Sequence, residues 1–183
     1  MAKKVLIITG SPRVKGNSNK LAAAFASGAT AAGKEVKYFD AAKCNMDGCH
    51  GDQSCFERGT CGLKDDGVQL HELMRWADVM VLVSPVYFKG FTSQIKRVID
   101  RFYPYTAPKP RAALTIKETF LIATAGHADE SVFKPMLEQF ELVNKALKVE
   151  CKGTLCVPGL GGVDAVNENE EALAKAAAYG FQI

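Results

Sequence analysis

The sequence of 183 residues lacks both of the common glycine-rich nucleotide loops. A P-loop reads G-x-x-x-x-G-K-[ST], with the lysine reaching the β and γ phosphates. Here five residues separate Gly10 from Gly16, and Asn17 stands where that lysine belongs. The dinucleotide fingerprint G-x-G-x-x-G is missing too, because Ser11, Pro12 and Arg13 follow Gly10 directly. No apolar run approaches membrane-spanning length, and the N-terminus enters a strand without signal-peptide layout. The net charge is only +3, from 23 Lys and Arg against 20 Asp and Glu. With no basic stripe, nucleic acid and membrane surfaces are not expected as partners. Six cysteines occur, yet nowhere as C-x-x-C. The expectation is a soluble, cytoplasmic protein whose thiols are not structural disulfides.

What is present alternates. Apolar runs at Lys4–Ile8, Ala77–Val83 and Thr119–Thr124 read as strands buried on both faces. Glu35–Asp40 is a weaker strand suited to the sheet edge, and Glu150–Val157 is a fifth, with a break expected at Gly153. Helices are expected from Asn17, from Asp65-Asp66, through Ile95–Phe102, from Glu130 to Leu147 and from about Glu168 to Tyr179. Asp65 and Asp66 read as cap and first-turn acids of their helix. Residues 41–66 show no sustained periodicity, and loops of such length are usually functional or disordered. Cys151 and Cys156 read as buried strand residues.

Strands alternating with helices imply one α/β domain over residues 1–183: a doubly wound, five-stranded parallel sheet with helices on both faces. The order 2-1-3-4-5 puts the switch point between the first and third strands. That order gathers the loops at residues 9–19, 84–90 and 124–129 at one edge. The first loop offers Ser11, Arg13, Asn17, Ser18 and Asn19 at the positive end of a helix, a cradle for a terminal monophosphate. The plainer reading makes Ser11-Pro12 and Gly16-Asn17 turn residues and Ser18 a helix cap. The second loop adds Tyr87 and Phe88 beside Pro85 as an aromatic wall, or as packing of the loop on its own helix. A planar ring joined to a monophosphate by a flexible chain has the shape of FMN.

Gly10-Ser11-Pro12-Arg13 with Gly16-Asn17-Ser18, then Ser84-Pro85-Val86-Tyr87 and Lys96-Arg97-Val98-Ile99-Asp100-Arg101, resembles the NADPH-dependent FMN reductase family. The insert Cys49…Cys55-Phe56-Glu57-Arg58-Gly59-Thr60-Cys61 before Lys64-Asp65-Asp66 is similar to the iron–sulfur flavoprotein branch of that family. The resemblance implies a flavodoxin-like fold, non-covalent FMN, and a homodimer or homotetramer with the flavin near a subunit interface. It would assign Ser11, Arg13, Asn17, Ser18 and Asn19 to the ribityl phosphate. Pro85, Val86, Tyr87 and Phe88 would line the isoalloxazine, and Thr124, Ala125, Gly126 and His127 would approach it from the third loop. No side-chain acid or base is required, since the cofactor carries the redox chemistry; His127 is the one candidate proton donor.

In the branch with clusters, closely spaced cysteines ligate a [4Fe–4S] centre. Here Cys44, Cys49, Cys55 and Cys61 are separated by four, five and five residues. Two readings stand: four ligands brought together by folding, or free thiols. Zinc is disfavoured by the absence of paired knuckles. The leading functional reading is an FMN-dependent oxidoreductase passing electrons from NAD(P)H to a quinone, flavin, metal or azo acceptor. The alternative is an iron–sulfur flavoprotein that carries electrons without a nicotinamide site, to a small-molecule or protein acceptor.

Overall fold

Alternation along the strands sorts their side chains onto two faces, and helices cover each. The computed structural model describes residues 2–183. Its strands are β1 (Lys4–Thr9), β2 (Glu35–Asp40), β3 (Val79–Pro85), β4 (Glu118–Thr124) and β5 (Glu150–Val157). All pair in parallel in the order β2-β1-β3-β4-β5, the flavodoxin-like arrangement. The helices are α1 (Asn17–Ala31), α2 (Ser54–Arg58), α3 (Gly67–Trp76), α4 (Ser93–Asp100), α5 (Pro108–Ala112), α6 (Lys134–Leu147) and α7 (Glu170–Gln182). Among the described residues no helix is long and apolar enough to cross a membrane.

From β1, Val5 and Ile7 enter a core with Leu21 and Phe25 of α1 and Ala176 of α7. Leu6 and Ile8 face the other way, into a core with Leu70 and Met74 of α3, Ile95 and Val98 of α4, and Phe140 of α6. The alternation has period two, as a strand requires. On the first face α1 and α7 meet through glycine. A Cβ at Gly28 would collide with the Ala177 carbonyl oxygen, and one at Gly180 with that of Phe25. The two backbones therefore lie closer than any side chain permits.

Several expectations are corrected in detail. The helix expected from Glu130 opens as a 3₁₀ turn (Glu130–Phe133), and α6 proper begins beside Pro135, which suits a first helical turn. β5 does not break at Gly153; a register shift leaves Thr119 opposite Cys151 and Phe120 opposite Gly153. The bulge lets the Phe120 ring approach Gly153, where a Cβ would sit 3.2 Å from it. Because β5 is an edge strand, Cys151 is exposed and not a packing residue, whereas Cys156 is half-buried and packs against the core.

Asp65 and Asp66 are the larger surprise. Asp66 is the residue before α3, but its carboxylate accepts from the Asn45 N–H at 2.7 Å instead of capping the helix. Asp65 forms a two-toothed ion pair with Arg101, at 2.7 and 2.9 Å, and Arg101 is 1% exposed. Arg101 also donates to the Asp47 carbonyl, and Arg97 to those of Met46 and Ala41. The end of α4 thus pins residues 41–66 to the body. Burial pushes the Asp65 carboxyl up, but the guanidinium and the N–H groups of Asp47 and Gly67 outweigh it and hold the group at about 2.

Two outcomes follow from this packing. Gly28→Val is expected to cost on the order of 2 kcal/mol in urea unfolding, because neither backbone can retreat. Gly48→Ala, with open space around it, should be silent in the same experiment. The second outcome concerns His71, buried beside the Tyr105 hydroxyl at 3.0 Å with its Nε2 unpartnered. Burial first, then the charges of Arg101 and Arg75, push it down from 6.5 to about 4, against the pull of Asp65. The unfolded chain takes up this proton at higher pH than the folded one, so stability falls as pH drops from 6.5 to about 4. The loss should reach about 3 kcal/mol across that window. His71→Gln is expected to flatten this slope, whatever it does to stability at neutral pH.

Candidate functional site

At the carboxyl ends of β1 and β3 the chain leaves the sheet toward opposite faces, and a crevice opens between the two loops. Gly10 fixes the start of the first loop. Its N–H donates to the Val83 carbonyl at 2.9 Å, and a Cβ there would strike Ile95 of α4. Thr92 then rivets the loops together: its hydroxyl donates to the Gly10 carbonyl at 2.9 Å, and its N–H donates to Ser84 Oγ at 3.2 Å. The same hydroxyl accepts from the Ile95 N–H and caps α4.

The crevice has a volume of about 150 Å³. Ser11, Arg13, Gly16, Asn17 and Ser18 line one side, Pro85, Val86 and Tyr87 another, and Thr124, Ala125 and Gly126 the third. Helix α1 enters it with Gly16 before its first turn, no side-chain cap and no acidic residue in that turn. The first-turn N–H groups of Asn17, Ser18 and Asn19 have no intrahelical acceptor and carry the positive end of the helix dipole. Ser18 is 1% exposed, and its Oγ has no hydrogen-bond partner. Buried hydroxyls in folded proteins are normally paired, so this one is a vacant donor facing the place where an anion would sit. A Cβ at Gly16 would lie 2.9 Å from Ser11 Oγ and 3.0 Å from the Arg13 carbonyl, filling part of the cradle. Arg13 itself is exposed and has no ion-pair partner among the described residues.

The two asparagines have other work. Asn17 Nδ2 donates to the Gly162 and Leu160 carbonyls at 2.7 and 3.3 Å, while its Oδ1 accepts from the Val166 N–H at 3.2 Å. Asn19 Nδ2 donates to the carbonyls of Arg13 and Val14 at 3.1 and 3.2 Å. Both side chains hold loops in shape. Asn17 brings in a fourth wall that sequence reasoning missed, formed by Leu160, Gly161 and Val163 after β5. The run Pro158-Gly159-Leu160-Gly161-Gly162 was its only sequence signal.

Not every expected residue lines the crevice. Tyr87 and Gly90 exchange N–H···O bonds of 3.0 and 3.1 Å across a tight turn whose central residues, Phe88 and Lys89, have φ of 47° and 66°. This is the I′ geometry that favours Asn-Gly, and it throws the Phe88 ring wholly into solvent. His127 is exposed and outside the crevice; its Nδ1 accepts from the Asp129 N–H at 3.2 Å.

The cysteine-bearing segment lies apart. Cys49, Cys55 and Cys61 line one small cavity of about 20 Å³ with Arg101. Cys44 does not join them: its thiol donates to the Ala41 carbonyl at 3.3 Å and packs against the core beneath α3 and α4. A [4Fe–4S] centre needs four thiolates around a cube far larger than this cavity, which holds about one water. Among the described residues no group of three or more His, Cys, Asp or Glu is arranged to hold a metal ion. The donor set as folded does not fit a four-thiolate cluster.

Comparison with known proteins agrees with the geometry of the crevice. Residues 3–140 match the NADPH-dependent FMN reductase family. An iron–sulfur flavoprotein of Methanocaldococcus jannaschii is 36% identical over 101 residues, covering 55% of this chain and 52% of that protein. An iron–sulfur flavoprotein of Archaeoglobus fulgidus is 35% identical over 102 residues, covering 56% and 46%. The chain therefore spans about half the length of the curated relatives it matches. Among solved structures, an NAD(P)H:quinone oxidoreductase from Methanothermobacter marburgensis superposes with a TM-score of 0.78 at 19% identity, over 100% of this chain and 97% of that one. With the matched segment taking in β1 to β4 and three walls of the crevice, the chain belongs to the NADPH-dependent FMN reductase family.

Proposed function

We propose that this chain is an FMN-binding oxidoreductase that takes electrons from NAD(P)H and delivers them to a quinone, flavin, metal or azo acceptor. The observation that carries the reading is the unpartnered, buried Ser18 hydroxyl at the uncapped start of α1. A ribityl phosphate fits there, between the first-turn N–H groups, Ser18, Ser11 and the free Arg13 guanidinium. Pro85, Val86 and Tyr87 lie across the crevice, where an aromatic ring would pack. Bound FMN supplies hydride and single-electron chemistry; the protein's part is to seat it and shield one side. The family membership supports the cofactor, and the quinone oxidoreductase of like fold supports the class of acceptor.

The turn at Phe88 supports a further part of the reading, that a second copy of the chain covers the crevice. A fully exposed phenyl ring on a left-handed backbone costs stability and returns nothing within one protomer. Replacing Phe88-Lys89 with Asn-Gly is expected to raise stability by about 1 kcal/mol while weakening self-association in sedimentation experiments. A stabilised variant with unchanged association would count against Phe88 as a contact.

The phosphate assignment is tested by comparing FMN with riboflavin in a fluorescence titration. FMN should bind at least about a hundredfold more tightly, since the charge-assisted bonds to the phosphate are worth roughly 3 kcal/mol together. Ser18→Ala and Arg13→Ala should each erase about tenfold of that preference and leave riboflavin binding unchanged. Equal affinity for the two flavins in the unaltered protein would overturn the assignment.

A further inference from the structure

We propose that the face shared by α4 and α6 is a self-association surface, on which α6 of a second copy lies antiparallel to α6 of the first. Helix α6 carries two stripes that could bury against another element, and the fold uses one of them. Met136, Phe140 and Leu147 enter the core. Pro135, Gln139, Leu142 and Ala146 form the other, at intervals of four, three and four residues. That spacing sets them along one line of the helix, the pattern of a helix–helix seam with Gln139 as its one polar member. Nothing in the protomer covers this line. Pro135, Leu142 and Ala146 are exposed, Leu142 to 66%.

A single exposed leucine is ordinary, but this one borders an apolar groove of about 650 Å³. Ile99, Phe102 and Tyr103 line the groove from α4 and the turn after it, and Val143, Ala146 and Leu147 line it from α6. A two-fold contact needs one patch that is both projection and recess, because each copy presents the same surface. Leu142 and the groove beside it meet that requirement. In the antiparallel pair Leu142 lies opposite the partner's Gln139 and enters the partner's groove, and the partner's Leu142 does the same in return. No groove residue lines the crevice, so this contact is separate from the one at Phe88.

Charge identifies the occupant and fixes its direction. Glu138 and Lys145 stand on the same side of the seam, one toward each end, and both are exposed. Neither has an ion-pair partner within the protomer among the described residues. In a parallel pair Glu138 would meet Glu138, and Lys145 would meet Lys145. Reversing one helix puts Glu138 beside the partner's Lys145 at both ends of the contact. The surface is therefore complementary to its own reverse, in charge as in shape.

Sedimentation velocity of the full chain, run in a reducing buffer over a range of concentrations, tests the proposal. The reductant removes any species linked through exposed thiols. The unaltered protein should associate, and Leu142→Glu should halve the mass of the particle where the unaltered protein is fully assembled. The same variant should keep the unaltered preference for FMN over riboflavin, a readout that separates failure here from failure of the flavin assignment. Glu138→Lys and Lys145→Glu should each weaken association by about tenfold, since each sets like charges side by side at both ends. The double variant restores opposite charges and should return to within about threefold of the unaltered protein. A protein that stays monomeric at every concentration would overturn the proposal and leave the groove to another occupant. So would a Leu142→Glu protein that assembles like the unaltered one, or a double variant no better than either single one.

Discussion

The constraint on which the rest depends is that a parallel sheet must be covered on both faces by the helices that connect its strands. From β1 the chain first winds outward to the edge strand β2 and then crosses back to β3 on the other side of β1, so the loops after β1 and β3 diverge. A gap at that edge is unavoidable, and what fills it is function or solvent. Here the gap is held open at a defined width by Gly10, which presses against Ile95, and by Thr92, which bonds both loops at once. Neither residue lines the crevice. Both decide where Ser18 and Tyr87 stand relative to each other.

A second constraint is electrostatic. Arg101 brings a full charge into the interior, a placement that is costly unless every donor is answered. Asp65 and the Asp47 carbonyl answer three of its bonds, and these come from opposite ends of the long segment before α3. The price is felt nearby, where the buried guanidinium discourages a charge on His71 and its own Nε stays unpaired. A surface ion pair would have contributed little. This one decides that residues 41–66 fold against α4 at all, and with them the cysteines.

The fold was legible because its signals are long and repeated: apolar runs with helical stretches between them leave few topologies for a chain of this size. Three walls of the crevice were legible for the same reason, since strand ends in such a sheet are predictable even when loops are not. The limits fall on residues whose role depends on a distant partner. Nothing near Asn17 in sequence shows that its amide bonds residues 160–166 and not a ligand. Arg101 lies in a run of charged residues that reads as the solvated side of α4, and only its pairing with Asp65 reveals a buried cation. Asp65 in turn looked like a helix cap, because helix starts and ion pairs both use aspartate. Phe88 was read as a ring-lining residue on its type alone; the φ of 47° that turns it outward is not written in residue type.

The chemistry of the crevice follows from the kinds of atoms that form it. The face formed by the first loop is made of backbone N–H groups, one free hydroxyl and an exposed arginine, and its lining contains no carboxylate or histidine. Such a face suits a phosphate, which accepts hydrogen bonds from backbone N–H groups at a helix start and pairs with a guanidinium. It cannot select a reaction. On the proposed reading, selection among electron acceptors would come from the walls that rise above the cradle, the Tyr87–Gly90 turn and the loop tied down by Asn17. The first of these carries two residues with positive φ, Phe88 and Lys89, and the second carries Gly161 and Gly162. A chain built this way can vary those two loops while the first loop, riveted by Thr92, stays as it is.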